Sequence, residues 1–164
     1  MREPDGFRDF VADESPRPLR AARLLTHDWH AAEDLVQNAL VRALPRWAGI
    51  EHPGAWVRRT MLREYLAGRE RRWTGEVPTG SLPERGSPDS DADVRLVLLR
   101  ALAQLPRQQR AVVVLRYFDD QTEAATATLL GCSVGTVKTH ASRALAALQA
   151  QPALASLHAL EGLS

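Results

Sequence analysis

Cysteine and aromatic residues are scarce in this 164-residue chain. The single cysteine, Cys132, excludes an internal disulfide and a cysteine cluster for metal, and it suits a reducing cytoplasm. Aromatic residues make up only 5% of the chain, while Ala and Leu dominate, which favours helices over sheets. No segment approaches the ~18 apolar residues of a membrane span, and the start, MREPDGFRDF, lacks the apolar run of a signal peptide. We therefore expect an all-α, cytoplasmic protein without membrane insertion.

Acidic and basic residues almost cancel, to a formal net charge of +1, but they are distributed in blocks. Residues 54–72 carry six Arg against two Glu, and residues 94–150 carry seven basic residues against three acids. Between them, residues 74–93 carry five acids against one Arg and are rich in Gly, Pro and Ser. This pattern predicts two small helical domains joined by a flexible linker, and it favours a polyanionic partner. For any one block, an ordinary solvated surface explains the charge equally well.

The first module is predicted to contain helices at 7–26, interrupted at the SPRP of residues 15–18, and at 29–44, with Asp28 as the cap of the second. Val36, Ala39, Leu40 and Ala43 recur at helical spacing on one side of that second helix. The opposite side displays a carboxylate, two amides and a valine: Asp34, Gln37, Asn38 and Val41. One exposed valine is normal, so this side is either plain surface or a small docking patch.

A third helix is predicted at 53–72, because Pro53 suits a first helical turn. Its core side carries Val57, Met61 and Tyr65, so Arg59 and Arg63 point away from the core. Aromatic residues among arginines suit single-stranded nucleic acid, whose bases stack and whose phosphates pair. The tryptophans of this region, Trp47, Trp56 and Trp73, fit that interpretation, although a place in the core explains Trp47 and Trp56 better.

The second module is predicted to hold helices at 94–104, 106–118, 123–130 and 134–150. Thr122 and Ser133 are expected to cap the last two, and Gly131 to end the short one. The predicted core positions are Ala111, Val114, Leu115 and Phe118 on the second of these helices, and Val134, Val137, Ala141, Ala144, Leu145 and Leu148 on the last.

The remaining face of the last helix has short donors and cations, namely Thr136, Thr139, Ser142 and Arg143 with Lys138 at the edge, and residues 124–160 contain no acid. A short helix, a tight turn and a longer helix of this kind are typical of a helix-turn-helix, whose second helix enters the major groove of DNA. Acids are scarce where phosphates would repel them. The alternative is an ordinary surface helix of a bundle, which usually mixes Glu with Lys.

The segment LPRQQRAVVVLRYFDDQTEAATATLLGCSVGTVKTHASRALAAL resembles region 4 of bacterial extracytoplasmic-function (ECF) sigma factors, within the sigma-70 superfamily. The segments LLTHDWHAAEDLVQNALVRALPRW and HPGAWVRRTMLREYLAGRERR resemble region 2 of the same group. The likeness covers about residues 7–150 and is nearest to the actinobacterial SigE-like group. It implies region 2 in residues 1–73, a linker at 74–92, region 4 at 93–150 and a tail at 151–164.

The resemblance implies a factor that binds core RNA polymerase and directs promoter-specific initiation of transcription. Docking on the β′ clamp helices would use Asp34, Gln37, Asn38 and Val41. Melting of the minus-ten element would use Arg58, Arg59 and Arg63, and reading of the minus-thirty-five element Thr136, Lys138, Thr139, Ser142 and Arg143. The implied partners are core polymerase, including its β flap, promoter DNA and, as an open question, an anti-sigma factor.

Three other functional classes compete with this interpretation. An enzyme would need a catalytic motif, and none is present. His30 and Asp34 lie one helical turn apart beside His27 and Glu33, but no third ligand follows at matching spacing, so we expect no metal, cofactor or catalytic site. A plain transcriptional regulator would not need residues 28–45 for polymerase binding. An interaction protein without DNA affinity would lack salt-dependent DNA binding.

Overall fold

The computed structural model describes residues 2–68 and 90–152, which are helical throughout apart from short connections, as the sequence predicts. The first module consists of α1 (Phe7–Glu14), α2 (Pro16–Thr26), α3 (Trp29–Ala43), a 3₁₀ turn (Leu44–Gly49) and α4 (Pro53–Ala67). The second consists of α5 (Ser90–Ala103), α6 (Arg107–Val113), a π-helical turn (Val114–Phe118), α7 (Glu123–Leu130) and α8 (Val134–Gln149). Most of the predicted linker (74–92) and tail (151–164) lies outside the described residues. Among the described helices, none is both long and apolar enough to cross a membrane.

The helix boundaries follow from local sequence chemistry. Pro16 occupies the first turn of α2, so the predicted interruption separates two helices at Ser15. The Asp28 carboxylate accepts a hydrogen bond of 3.1 Å from the backbone N–H of His30, which confirms the predicted cap of α3. Pro53 begins α4 as predicted.

One apolar core extends through both modules. Leu25, Met61 and Leu62 of the first module belong to the same buried cluster as Leu102 and Leu115 of the second. All five side chains are inaccessible to solvent. Full burial of a side chain of this size contributes about 1.5–3 kcal/mol each, so the apolar contact between the modules is a large part of the stability of the packed chain.

The helix after Pro106 departs from its predicted form. It is α-helical only to Val113 and continues as a π-helical turn, in which the N–H of Asp119 donates to the carbonyl of Val114 at 3.0 Å. The extra residue in the wider turn rotates the following side chains out of the i, i+3, i+4, i+7 stripe. Phe118, predicted as a core residue, is therefore 42% exposed, while Val114 and Leu115 remain buried.

Two arginines of α6 connect the modules by hydrogen bonds to backbone carbonyls. Arg107 donates to the carbonyls of Tyr65 and Gly68, at 2.6 Å to the latter, and so satisfies acceptors at the C-terminal end of α4. Arg110 is only 8% exposed. Its guanidinium donates to Leu25 O at 2.8 Å and to the Tyr65 hydroxyl at 3.2 Å in the first module. Within the second module it donates to the carbonyls of Leu102, Ala103 and Leu105.

His27 lies beside this buried guanidinium. It ends α2 in the left-handed conformation, with φ of 61°. Burial lowers the pKa of His27 to about 3, and the positive charge of Arg110 acts in the same direction. The unfolded chain binds a proton at this imidazole near pH 6.5, whereas the folded chain resists it. The stability linked to His27 is therefore fully present above about pH 6.5 and is lost as the pH falls toward about 3, at about 1.4 kcal/mol per pH unit.

Candidate nucleic-acid interface

The turn between α7 and α8 is defined by three short-range features that the sequence predicts. The Thr122 hydroxyl accepts from the N–H of Ala125 at 3.0 Å and begins α7. Gly131 ends that helix at φ of 69°, a left-handed conformation that most side chains disfavour. The Ser133 hydroxyl then accepts from the N–H of Thr136 at 3.1 Å and begins α8. A small core of Val112, Ala127 and Val137, with Cys132 half-buried against it, holds the two helices together. This is the geometry of a helix-turn-helix.

The outer face of α8 presents four side chains to solvent, which are Lys138, Thr139, Ser142 and Arg143. We call this set the reading face. Thr136 is half-buried, and its hydroxyl lies 2.9 Å from the Ser133 hydroxyl, so it serves the cap. The buried stripe is narrower than predicted. Val137 and Ala144 are buried, whereas Val134 and Leu145 are exposed at its edges.

The charge of the reading face is uncompensated in the described part of the chain. None of the ion pairs formed there involves Lys138 or Arg143. The sequence has no acid between residues 124 and 160. An arginine that is neither buried nor paired is available for bidentate contact with a phosphate or with the edge of a guanine. The reading face therefore suits the major groove of DNA.

A second exposed surface lies on α3. Asp34, Gln37, Asn38 and Val41 are all exposed, and we call this set the docking face. Val41 is 62% exposed although it is aliphatic, while Val36 and Ala39 on the other side of the helix are buried. This set has an exposed valine beside two amides and a carboxylate. Small protein contacts have a similar composition, with an apolar centre and a polar rim.

The arginines of the basic helix α4 differ in their exposure to solvent. Arg59 and Arg63 are exposed one turn apart. Arg58 is only 14% exposed and lies 2.7 Å from the carboxylate of Asp119 in the second module. Beside Arg59 there is a cleft of about 630 Å³. Its walls come from residues 45–59 of the first module and from Thr128 and Leu129 of α7.

The tryptophans near this cleft are partly buried. Trp56 packs against the shared core. The ring of Trp47 lies 5.1 Å from both Phe7 and Phe10, and its indole N–H donates to the carbonyl of Asp5 at 3.1 Å. These contacts give both residues a structural role, as one of the two sequence-based alternatives proposed. Trp73 lies outside the described residues.

Sequence reasoning missed the residues that join the modules. The sequence alone indicates no role for Asp119, Arg17, Arg107 or Arg110. No local signal identifies them, because each acts on a partner at least 39 positions away in the chain. As for metal, the described residues include no group of three His, Cys, Asp or Glu side chains that could hold an ion.

Two protein families match the chain in sequence. The family described as Sigma-70 region 2 matches residues 10–74, and the family described as Sigma-70, region 4 matches residues 95–148. The chain is 40% identical over 149 residues to RNA polymerase sigma-E factor of Streptomyces avermitilis, covering 87% of this chain and 83% of the relative. It is 36% identical over 143 residues to ECF RNA polymerase sigma factor SigL of Mycobacterium tuberculosis, covering 79% of each.

Similarity extends to a solved structure. The sigma factor RpoE from Bartonella quintana, determined in complex with the anti-sigma factor NepR, is 26% identical to this chain. The two structures agree with a TM-score of 0.67 over 89% of this chain and 96% of the other.

Proposed function

Because the chain belongs to the extracytoplasmic-function group of sigma-70 factors of RNA polymerase, we propose that it binds core polymerase, reads a minus-thirty-five element and melts a minus-ten element. In this proposal residues 1–73 are region 2 and residues 93–150 are region 4. The observation that carries it is the coexistence, on one chain, of an unpaired cationic reading face on a helix-turn-helix and a separate docking face.

The reading face is proposed to contact the minus-thirty-five element. Arg143 is assigned to a base edge and Lys138 to a phosphate, because a guanidinium can pair with a guanine edge through two hydrogen bonds whereas an ammonium acts as a point charge. Thr139 and Ser142 are short, which lets the helix approach the groove closely. The hydroxyl of Thr139 donates to the carbonyl of Gly135 at 3.0 Å, so its methyl group is the part that faces outward for apolar contact with a base.

The docking face is proposed to contact the β′ clamp helices of core polymerase, and the second module the β flap. Arg59 and Arg63 are proposed to hold the non-template strand of the minus-ten element, together with Arg58 once its ion pair has opened. Single-stranded DNA is bound by exposed cations that follow the backbone. An anti-sigma partner is proposed by analogy with the relative whose solved structure contains one.

Charge reversal on the docking face tests the proposal. Asp34→Arg and Val41→Asp are expected to abolish co-elution with core polymerase and promoter-specific transcription, because the first reverses a charge of the polar rim and the second places a charge at the apolar centre. Asp13→Arg, which reverses an exposed charge on α1, is the matched control and should co-elute normally. Circular dichroism should show that all three variants are folded. Normal co-elution of Asp34→Arg and Val41→Asp would contradict the assignment of this face.

A further inference from the structure

A single carboxylate of the second module is held by two arginines of the first. Asp119, at the end of the π-helical turn, is 6% exposed. Its Oδ1 accepts a hydrogen bond of 3.1 Å from Nε of Arg17, on α2. Its Oδ2 lies 2.7 Å from Nε of Arg58, on α4. One acidic side chain therefore connects two helices of the first module to the second, and we call this group the Asp119 clamp.

The packing of the two modules leaves the docking face and the reading face exposed but restricts access to Arg58 of α4. The docking face on α3 and the reading face on α8 are both exposed. On α4, by contrast, Arg58 is withdrawn into the Asp119 clamp, and Thr128 and Leu129 of α7 form part of the wall of the cleft beside Arg59. The second module thus lies against the part of the first module that is assigned to the minus-ten strand.

We propose that Asp119 is an intramolecular competitor of promoter DNA, whose carboxylate occupies the guanidinium of Arg58 in place of a DNA phosphate. This inference rests on the proposed function, which assigns Arg58 to the minus-ten strand. Carboxylate and phosphate are interchangeable acceptors for a guanidinium, since both accept its N–H groups as charge-assisted hydrogen bonds. The contact between Asp119 and Arg58 must then open before Arg58 can engage the minus-ten element, whereas core polymerase and the minus-thirty-five element remain accessible to the packed form.

The geometry of the Asp119 clamp is suited to opening. The contact between Arg58 Nε and Asp119 Oδ2 is short, but its orientation is not that of a hydrogen bond, and both atoms are buried without another hydrogen-bond partner. A buried ion pair that lacks good hydrogen-bond geometry recovers little of its desolvation cost. A phosphate at an exposed surface would give Arg58 well-oriented hydrogen bonds. Exchange of the carboxylate for a phosphate is therefore favourable.

The test uses the full chain without polymerase. Asp119→Asn keeps the shape of the side chain and removes its charge. Asp120→Asn is the matched control, because Asp120 is adjacent to Asp119 and exposed. Asn also tolerates the left-handed φ of 52° at this position. The probe is a fluorescein-labelled pool of random-sequence single-stranded DNA, and binding is followed by anisotropy over a range of salt. Hydrogen exchange measures the protection of α4.

Asp119→Asn is expected to raise affinity for the probe by about tenfold, the scale of one charged hydrogen bond gained between Arg58 and a DNA phosphate. It should also speed exchange in α4, while Asp120→Asn changes neither property. With core polymerase bound, Asp119→Asn should open promoters as the unmodified chain does, because the minus-ten strand is then held beside Arg58 and outcompetes the carboxylate. Asp119→Ser also removes the carboxylate and should give the same changes, so the test survives if Asp119→Asn fails to fold.

Two results separate this inference from the proposed function. If Arg58→Gln in the holoenzyme opened promoters normally, the assignment of Arg58 to the minus-ten strand would be wrong. If Arg58→Gln impaired opening but the Asp119→Asn and Asp119→Ser variants bound the probe no better than Asp120→Asn, the competition by Asp119 would be overturned and the proposed function would stand.

Discussion

Replacement of Arg110 by Met is expected to loosen the packing of the two modules. The hydrogen bonds that are lost include those to the carbonyls of Leu25, Leu102 and Leu105, at 2.8 Å each. Leaving a buried carbonyl without a donor costs about 1–3 kcal/mol, while removal of a desolvated guanidinium returns part of that loss. Because Met keeps the apolar stem, no large cavity forms. We therefore expect a net loss of about 2–4 kcal/mol in the free energy of unfolding.

Urea unfolding followed by two probes can locate this effect. All four tryptophans, Trp29, Trp47, Trp56 and Trp73, lie in the first module, so their fluorescence reports on that module, whereas circular dichroism reports on all helices. If the modules share one core, Arg110→Met should lower the midpoint seen by both probes equally. The matched control is Arg116→Met, since Arg116 donates within its own module, to the carbonyl of Gln121 at 2.6 Å.

The control should shift the midpoint much less than Arg110→Met does. A fluorescence transition that stayed in place while the circular-dichroism transition moved would mean that the modules unfold independently, and the reasoning from a shared core would be refuted.

Three further outcomes follow from the site and its surroundings. Lowering the pH from about 7 to about 5 should reduce the free energy of unfolding by about 2 kcal/mol through His27, as measured by urea titrations at the two pH values. His27→Asn should abolish this pH-dependent loss, and Asn suits the left-handed φ of this position. Arg143→Ala should cost roughly 1–3 kcal/mol of DNA-binding free energy and relax selectivity at one or two base pairs of the minus-thirty-five element. Lys138→Ala should weaken binding to all duplexes alike and lower the slope of log affinity against log salt by about one unit. Equal weakening of all duplexes by Arg143→Ala would contradict these assignments. Replacing both Arg59 and Arg63 with Ala should preserve polymerase binding but reduce permanganate reactivity at the minus-ten element, and unchanged reactivity would contradict their role.

Local features of the fold were predictable from the sequence because short-range chemistry determines them. Asp28, Thr122 and Ser133 cap helices as predicted, since each accepts from an N–H two or three residues ahead. Gly131 ends α7 because its φ is positive. The exposed sides of α3 and α8 follow from helical periodicity, which depends only on spacing.

The contact between the modules could not be predicted in this way. Arg17 and Asp119 are 102 positions apart, and Arg110 and Leu25 are 85 apart, so no local pattern relates them. The π-helical turn was missed for a related reason, because a run of Val, Leu and aromatic residues has the same periodicity signal whether or not one turn is widened. As a result, Phe118 was assigned to the core and Arg58 was grouped with two exposed arginines although it pairs with Asp119.

Transcription from a promoter library by purified core polymerase tests the central claim most directly. With the chain added, we expect transcripts only from templates that share one minus-thirty-five element and one minus-ten element at a fixed spacing, and no such enrichment with core polymerase alone. Val41→Asp should abolish the enrichment. Transcripts that were no more selective with the chain than without it would contradict the account.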